Sequence, residues 1–394
     1  MRLIHGKDKT IKACIFLVIL ALIAFGDYSR YVYAIKIGAI ITLLLSERYI
    51  KSTFYLKWAT SFIAISVLSL LWSVDKSNSI FYIAWILQAM ALAVAISNAT
   101  HDLSDIEYIL KCFFIAGLVL SLRVVIRSPI REWGSFRIGA NMGYNSNELA
   151  LKEAIGCLAG FYFWTNTKNT KRKIILLAGV IALIAIVLFT GSRKGSIMIL
   201  MGVVIFLTLK SESSLKIIRN IIISLLLLAG FFLLITNVDV LYNVLGRRLL
   251  LTLNMFDADA YVGNSIGNRL SLIDIGIDLF KKNPIVGYGI GSFPTASGTN
   301  NYAHNNYIEL IVDLGVVGLS VYYSMYIYNI GKTIRNLNSN RTLLSILLSF
   351  SLMFVVLEYG LVTFQSDYAQ IIIALCCASL QVIRISPNNR DLEG

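Results

Sequence analysis

The sequence predicts an all-α polytopic membrane protein, and three observations lead to that class. Hydrophobic residues make up 57% of the 394 residues and charged residues only 14%, and the mean hydropathy is +0.73. A soluble domain carries about 25% charged residues, whereas here the apolar residues form runs long enough to cross a bilayer. Because backbone polar groups in lipid must be satisfied within their own segment, these runs are expected to be helices.

Apolar windows predict about twelve spans in a single integral membrane domain that covers residues 1–394. They lie near 11–26, 31–45, 53–72, 79–97, 107–126, 148–165, 174–190, 196–209, 217–236, 305–330, 342–360 and 367–385. The first window has no small-residue cleavage site after it, so we interpret it as a retained span. The five cysteines all fall in apolar segments, which indicates packing and no disulfide framework.

The positions of the basic residues predict the orientation of the chain. The net charge of +13 comes mainly from short loops that all fall on one side when the N-terminus is cytoplasmic, as the positive-inside rule requires. The C-terminus then also lies in the cytoplasm. This distribution explains the basic charge without nucleic-acid binding.

Several cations nevertheless fall in connections on the opposite, outer face. These are Arg127, Arg131, Arg137, Arg193, Lys194, Arg247, Arg248 and Arg269. The planar fork of arginine suits phosphate oxygens, so this set indicates a bound anionic group. The alternative is that arginines at helix ends extend to lipid headgroups.

A large outer loop, residues 237–303, lies between spans nine and ten and is the only long hydrophilic connection. Within it, NRLSLIDIGIDLFKKNP predicts a short amphipathic helix with Ile273, Ile277 and Phe280 on its apolar face. The run GYGIGSFP at 287–294 predicts a flexible, tight segment that leads to His304, since no strand–turn–helix context supports a dinucleotide site. Asp257 and Asp259 could hold a divalent metal ion, but two acids in a polar loop are common, and we predict no metal site.

The run HNNYIELIVDLGVVGLSVYY places His304 where span ten begins. Neutral imidazole has an unperturbed pKa of about 6.5 and suits a general base; the alternative is a capping or interfacial histidine. Glu309 and Asp313 follow on one helix face, and acids inside a membrane are often functional. Glu358 and Asp367, which bracket the last outer loop, are candidates for a sugar-binding rim.

Four motifs carry a resemblance to a known family. His304-Asn305, nine residues, Gly315, two residues and Gly318 satisfy the pattern H-[NSQ]-x9-G-x-x-[GTY]. TGSRKGS around Arg193, NRLSL around Arg269 and RIGANMGYNSNELA at 137–150 are similar to further elements of the same family. With the twelve-span layout, the chain resembles the O-antigen ligase/polymerase superfamily of bacterial envelope glycosyltransferases. Lys194 stands where many members carry a small residue. Gly315 and Gly318 are expected to permit close helix packing.

The resemblance implies a GT-C-like fold and a site on the periplasmic or extracellular face of the bacterial inner membrane. It implies a donor glycan on undecaprenyl pyrophosphate, a glycan acceptor and a metal-independent, inverting transfer without a cofactor. His304, Arg193 and Arg269 are then the expected catalytic residues. The expected substrate-binding residues are Lys194, Arg137, Asn305 and Glu309.

The leading function is a polymerase that joins lipid-linked repeat units of a surface polysaccharide such as O-antigen or capsule, with a chain-length regulator as a candidate partner. A ligase that transfers lipid-linked glycan to lipid A-core shares these motifs and is the alternative. A transporter or flippase is less favoured, because transporters place ionisable groups near the bilayer midplane. The sugar, the linkage and the oligomeric state stay open.

Overall fold

The computed structural model describes residues 2–26, 30–47, 49–135, 137–139, 145–253 and 267–385. Asp257 and Asp259 lie outside these residues. Every long element in the described part is an α-helix. The helices before the predicted outer loop are α1 (Arg2–Ala24), α2 (Arg30–Ser46), α3 (Phe54–Leu68), α4 (Lys76–Asn98), α5 (Leu103–Arg127), α6 (Ser146–Asn166), α7 (Thr170–Phe189), α8 (Arg193–Lys210) and α9 (Ser214–Asn237).

The segment predicted as the outer loop contains several short helices. They are α10 (Asp239–Leu241), α11 (Arg247–Leu253), α12 (Gly267–Lys282) and α13 (Phe293–Ser297), with a π-helical turn at Tyr242–Gly246. Three further helices follow: α14 (Asn306–Arg335), α15 (Arg341–Leu357) and α16 (Asp367–Ile385). A helix therefore lies at each of the twelve apolar windows.

Seven segments in the described residues are long and apolar enough to cross a membrane. They are Phe54–Leu71, Lys76–Asn98, Leu103–Arg127, Thr170–Phe189, Ser214–Asn237, Asn306–Arg335 and Asp367–Arg384. The apolar helix α15 is shorter. The chain is thus an all-helical membrane protein, and twelve spans stay a prediction.

Polar residues set the starts of many helices. The side chain just before the helix accepts a backbone N–H of the first turn at Thr53, Asp75, Asp102, Asn145, Asn169, Ser192 and Ser213. Such caps satisfy N–H groups that have no partner inside the helix. In these seven helices the short polar residue before the helix therefore defines its first residue.

The chain forms two compact units. The first comprises Met1–Ala39, Asp102–Phe256 and Asn336–Met353. Its central helix is α6, which packs against α5, α7 and α8. Gly156 permits a close approach of α6 to α5, because a Cβ there would lie 3.2 Å from the carbonyl oxygen of Phe113 and 3.4 Å from Cα of Gly117.

The second unit comprises Ile40–His101, Asp257–Arg335 and Phe354–Gly394. Within it α4 packs against α16, and α3 packs against α14, where the indole of Trp58 donates to the carbonyl of Val321 at 2.7 Å. The helix α12 packs along the first part of α14.

The predicted amphipathic helix is present as α12, and the face that it buries is not the one that carries Ile273, Ile277 and Phe280. Leu272, Gly276 and Leu279 are buried, whereas Ile277 is 41% exposed. Glycine decides the face: a Cβ at Gly276 would lie only 2.3 Å from Cγ2 of Ile308. The side with the smallest residue therefore approaches α14, and the larger apolar side chains of the other side stay outside this contact.

Candidate functional site

His304 lies in the left-handed backbone region, with φ of 55°, immediately before α14. This conformation costs a residue with a Cβ about 1–2 kcal/mol, so the surrounding structure must hold it. The imidazole is half-buried, and its centroid lies 3.9 Å from that of the Tyr302 ring, with the planes tilted by 48°. The histidine is thus presented on a bend and not on the face of a helix.

Asn305 holds the chain on the C-terminal side of this bend. Its Oδ1 accepts the backbone N–H groups of Tyr307 at 3.0 Å and Ile308 at 3.2 Å, as an N-cap does. Because Oδ1 accepts these two N–H groups, Asn305 would contact a substrate through its amide nitrogen.

Glu309 holds the chain on the N-terminal side. Its Oε2 accepts the backbone N–H of Ala303 at 2.5 Å, and its carboxyl group is fully buried. The other oxygen, Oε1, is buried without a hydrogen-bond partner among the described residues. Leaving such an oxygen unpaired is unfavourable. Because its other oxygen bonds the backbone at Ala303, the buried Glu309 supports the bend at His304 and is not exposed to solvent.

The helix α14 is broken at Gly315, which has φ of 62° and ψ of −165°. A Cβ there would lie 2.2 Å from the carbonyl oxygen of Ile285. The expected role of Gly315 in helix packing is therefore wrong: only glycine permits this bend and the backbone of residue 285 beside it.

The glycine-rich segment at 287–294 is bonded to this break and is not a flexible approach to His304. The N–H of Tyr288 donates to Val312 at 3.0 Å, and the N–H of Gly289 donates to the carbonyl of Asp313 at 2.8 Å. On the other side of the break, the N–H of Val316 donates to Pro284 at 2.9 Å. The segment thus supplies the hydrogen bonds that a continuous helix would have made.

Asp313 also binds this segment through its carboxylate. Oδ2 accepts the N–H of Gly291 at 2.6 Å, and Oδ1 accepts the N–H of Phe293 at 2.9 Å. Gly291 has φ of 70°, and a Cβ there would lie 2.7 Å from the Tyr82 ring. Glu309 and Asp313, one turn apart, therefore both bind backbone that leads to His304.

Glu358 is fully buried and so is not part of an exposed sugar-binding rim. Its carboxylate accepts hydroxyl groups from Tyr322, Tyr323, Tyr326 and Thr363. These four donors satisfy a carboxylate that is buried among the helices. The carbonyl oxygen of Glu358 accepts the N–H of Asn306 at 2.8 Å and so fixes the first residue of α14. Asp367 is buried as well.

Three arginines of the first unit meet at the turn between α7 and α8. Arg137 donates from Nε to the carbonyl of Thr190 at 2.9 Å. Arg193 donates to the carbonyl of Arg248 at 3.2 Å, and Arg248 donates to the carbonyl of Gly191 at 3.1 Å. The predicted residues Arg137 and Arg193 are thus together, with Lys194 half-buried beside Arg193 in the first turn of α8.

Arg248, Asn147 and Ser192 were not among the site residues expected from the sequence, although Arg248 was one of the cations predicted on the outer face. Asn147 accepts the Nη2 of Arg137 at 3.1 Å and the hydroxyl of Ser192 at 3.0 Å through one oxygen. Ser192 in turn caps α8. The polar run NSNE before an apolar window was the available signal for Asn147; for Arg248, it was a cation on the outer side.

A cavity of about 190 Å³ lies beside Arg193. Apart from Arg193 and Ser196, its lining is apolar: Ile197, Leu200, Leu228, Phe231, Phe232, Leu245 and Leu249. A guanidinium group at an otherwise apolar cavity suits an amphiphile with an anionic head.

Arg269 belongs to the second unit and lies in the first turn of α12. It is half-buried, and nothing in the described part of the chain forms a hydrogen bond or ion pair with it. It lies on the same helix face as Leu272 and Gly276, the face that packs against α14. Within this unit, His304, Asn305, Glu309 and Arg269 are carried by α14, its lead-in and α12.

A protein-family model described as O-antigen ligase matches residues 154–323. The matched segment includes Arg193, Arg269 and His304, and it ends within α14. Among curated proteins, none matches the chain. The match covers less than half of the chain, and it supports the resemblance to the O-antigen ligase/polymerase superfamily that the motif at His304 predicted.

Proposed function

We propose that this protein is a membrane glycosyltransferase that joins undecaprenyl-pyrophosphate-linked repeat units into a surface polysaccharide. The observation that carries the proposal is His304, held on a left-handed bend before an apolar helix and inside the segment that matches the family. Such a bend, supported by two buried side-chain oxygens, presents one titratable group in a defined position.

The reaction needs one proton acceptor. A hydroxyl oxygen of the acceptor sugar attacks the anomeric carbon of the donor, and the bond from that carbon to the diphosphate oxygen breaks. The electron pair leaves with the lipid diphosphate, and the hydroxyl proton passes to the imidazole of His304. Attack opposite the leaving group inverts the anomeric carbon.

The leaving diphosphate gains charge as this bond breaks, and fixed cations lower the barrier. We assign Arg193 and Arg269 to that role, with Arg137 and Lys194 in support. Three guanidinium groups gather at the 190–193 turn, and Arg269 has no partner among the described residues. These cations supply the charge, so the mechanism uses no metal ion.

The active site belongs to the outer face of the bacterial inner membrane in this proposal. The basic loops support cytoplasmic termini and a site outside. The twelve apolar windows and the family resemblance support twelve spans in a GT-C-like fold. A chain-length regulator would act on the growing glycan and not on the bond-forming step.

The test uses purified protein in lipid nanodiscs, supplied with a lipid-linked single repeat. The wild type should produce a ladder of polymer. Asparagine tolerates the left-handed region, so H304N keeps the bend and removes the base; it should lower the rate about 100-fold or more. R193A and R269A should lose activity on a similar scale, about 100-fold or more.

R247A is the matched control, because Arg247 is exposed and is also one of the cations that the topology prediction places on the outer face. It should retain the wild-type rate. Near-normal ladders from H304N, R193A and R269A would end the assignment.

The second candidate is a ligase, and the description of the matching family favours it. In the same nanodiscs, lipid A-core would be offered together with the lipid-linked glycan. One transfer to the core, with no ladder from the repeat alone, identifies a ligase; a ladder without core identifies a polymerase.

A further inference from the structure

A hydrogen-bonded network in the second unit holds the backbone just after His304. Asn306 is the first residue of α14 and is fully buried. Its backbone N–H donates to the carbonyl of Glu358 at 2.8 Å. In its side chain, Oδ1 accepts the backbone N–H of Thr363 at 3.0 Å, and Nδ2 donates to the hydroxyl of Tyr323 at 3.1 Å. Only one residue separates Asn306 from His304, so these three bonds fix the C-terminal end of the bend.

The hydrogen bonds around the Asn306 side chain run in one direction. A backbone N–H can only donate, so the amide oxygen faces Thr363. The hydroxyl of Tyr323 donates to Oε2 of Glu358 at 2.7 Å, and its oxygen is then the acceptor for Nδ2 of Asn306. A buried polar network whose members all have partners specifies one arrangement. The Tyr323 hydroxyl therefore joins the buried carboxylate of Glu358 to the side chain of Asn306.

Tyr326 offers a comparison within the same helix. Its hydroxyl donates to Oε1 of Glu358 at 2.7 Å, the distance found for Tyr323, and in the described part of the chain it forms no hydrogen bond with Asn306. Removing either hydroxyl takes one donor from the carboxylate. Only the loss of the Tyr323 hydroxyl leaves Nδ2 of Asn306 without its acceptor. The two tyrosines thus separate the support of Glu358 from the support of the bend at His304.

We propose that Tyr323 and Asn306 are positioning residues for the proposed glycosyl transfer, because they hold the backbone that presents the imidazole of His304 to the acceptor hydroxyl. The inference rests on the proposed function for the role of this imidazole. A misplacement of about 1 Å at a reacting group can lower the rate about 100-fold, so these bonds act on the rate through His304. Glu358 and Thr363 lie beyond residue 323, where the family match ends. The loop after α15 therefore contributes to the site from outside the matched segment.

The first experiment compares two hydroxyl deletions in the glycosyl-transfer assay. Y323F removes the hydroxyl and keeps the ring, which stacks on Tyr307 with centroids 4.7 Å apart. It should lower kcat about tenfold and leave KM unchanged, since substrate binding is retained and positioning is lost. Y326F is the matched control: it removes the other 2.7 Å donor of Glu358 and should keep the wild-type kcat. Equal kcat in Y323F and Y326F would overturn the proposal.

N306S covers the case in which Y323F fails to fold. Serine is uncharged and keeps the backbone N–H that donates to Glu358, but its side chain is too short to reach the hydroxyl of Tyr323. N306S should lower kcat at least as much as Y323F. Melting temperatures separate positioning from stability: if kcat falls in step with the melting temperature in N306S, Y323F and Y326F alike, the residues act on stability alone and the positioning role fails.

The second experiment observes His304 itself and needs no glycosyl transfer. The chain has three histidines, His5, His101 and His304, so isotope labelling at histidine Cε1 gives three imidazole signals in an NMR spectrum. H304N assigns the signal of His304. That signal should respond to small displacements, because the ring centroid lies 3.9 Å from that of Tyr302 and aromatic ring currents vary steeply with distance.

Y323F and N306S should both shift the signal of His304 and leave those of His5 and His101 in place. Y326F should leave all three signals in place. An unchanged His304 signal in Y323F and N306S, or an equal shift in Y326F, would overturn the positioning role.

The two proposals fail separately. If the His304 signal depends on Tyr323 and the wild type transfers no glycan, the glycosyltransferase assignment fails and the network still positions this histidine. If the wild type transfers glycan, and Y323F and N306S match it in kcat and in the His304 signal, the positioning role fails and the assignment stands.

Discussion

Glu309 supplies the sharpest test of how the bend at His304 is held. Its Oε2 is the acceptor for the backbone N–H of Ala303, at 2.5 Å, and Ala303 is fully buried. In E309A that N–H is left buried without an acceptor, which costs about 1–3 kcal/mol. If this hydrogen bond protects the amide of Ala303, its exchange with solvent should become about 5- to 150-fold faster.

The assay is hydrogen–deuterium exchange by mass spectrometry on peptides that cover residues 299–306. E309Q separates hydrogen bonding from charge, because its amide oxygen can still accept the N–H of Ala303. It should exchange like the wild type, and its glycosyl-transfer rate should exceed that of E309A.

D278A is the matched control, since it removes an acid whose side chain is 69% exposed and pairs with Lys281. It should leave the exchange of Ala303 unchanged. Unaltered exchange in E309A would refute the reasoning, and equal losses in E309Q and E309A would show that the charge matters and not the hydrogen bond.

Three further predictions concern stability. G315A should lower the melting temperature in detergent by several degrees, because φ is 62° and the added Cβ would lie 2.2 Å from the backbone of Ile285. G331A is the control: it lies in the same helix, nothing is within 4 Å of its added Cβ, and it should not lower the melting temperature. Equal effects of the two variants would contradict the break at Gly315. N305A should cost about 1 kcal/mol of unfolding free energy through the lost cap, while N305D retains it; a loss as large in N305D would count against capping.

The third of these concerns Glu358. E358A should lower the melting temperature in detergent by several degrees, because four hydroxyl donors lose their acceptor. E358Q, whose amide oxygen can still accept hydrogen bonds, should lower it less, and equal effects would contradict this role of Glu358.

Part of the candidate site could be predicted from residue types and spacing. The pattern from His304 to Gly318 predicted the family whose model matches residues 154–323, and cations on the outer side of the predicted topology predicted Arg193 and Arg137. These signals are local in the chain or follow from the charge of whole loops, so one sequence contains them.

Other features depended on contacts between residues far apart in the chain. The apolar residues of α12 form two stripes, and only the approach of Ile308 to Gly276 decides which one packs. From the sequence Gly315 is expected to permit helix packing, whereas in the structure the chain at 284–289 lies beside it. Arg248 is one cation among several until its bond to Gly191 places it at the turn of Arg193.

The sequence alone predicted that this protein is helical, lies in a membrane and resembles the O-antigen ligase and polymerase enzymes. Hydropathy sets the first two, because lipid permits apolar segments only as helices with satisfied backbones, and a short motif sets the third. Tertiary structure decided how His304 is held and which arginines share a turn. Those arrangements depend on glycines that let distant backbone segments touch, and the partner of such a contact is encoded elsewhere in the chain.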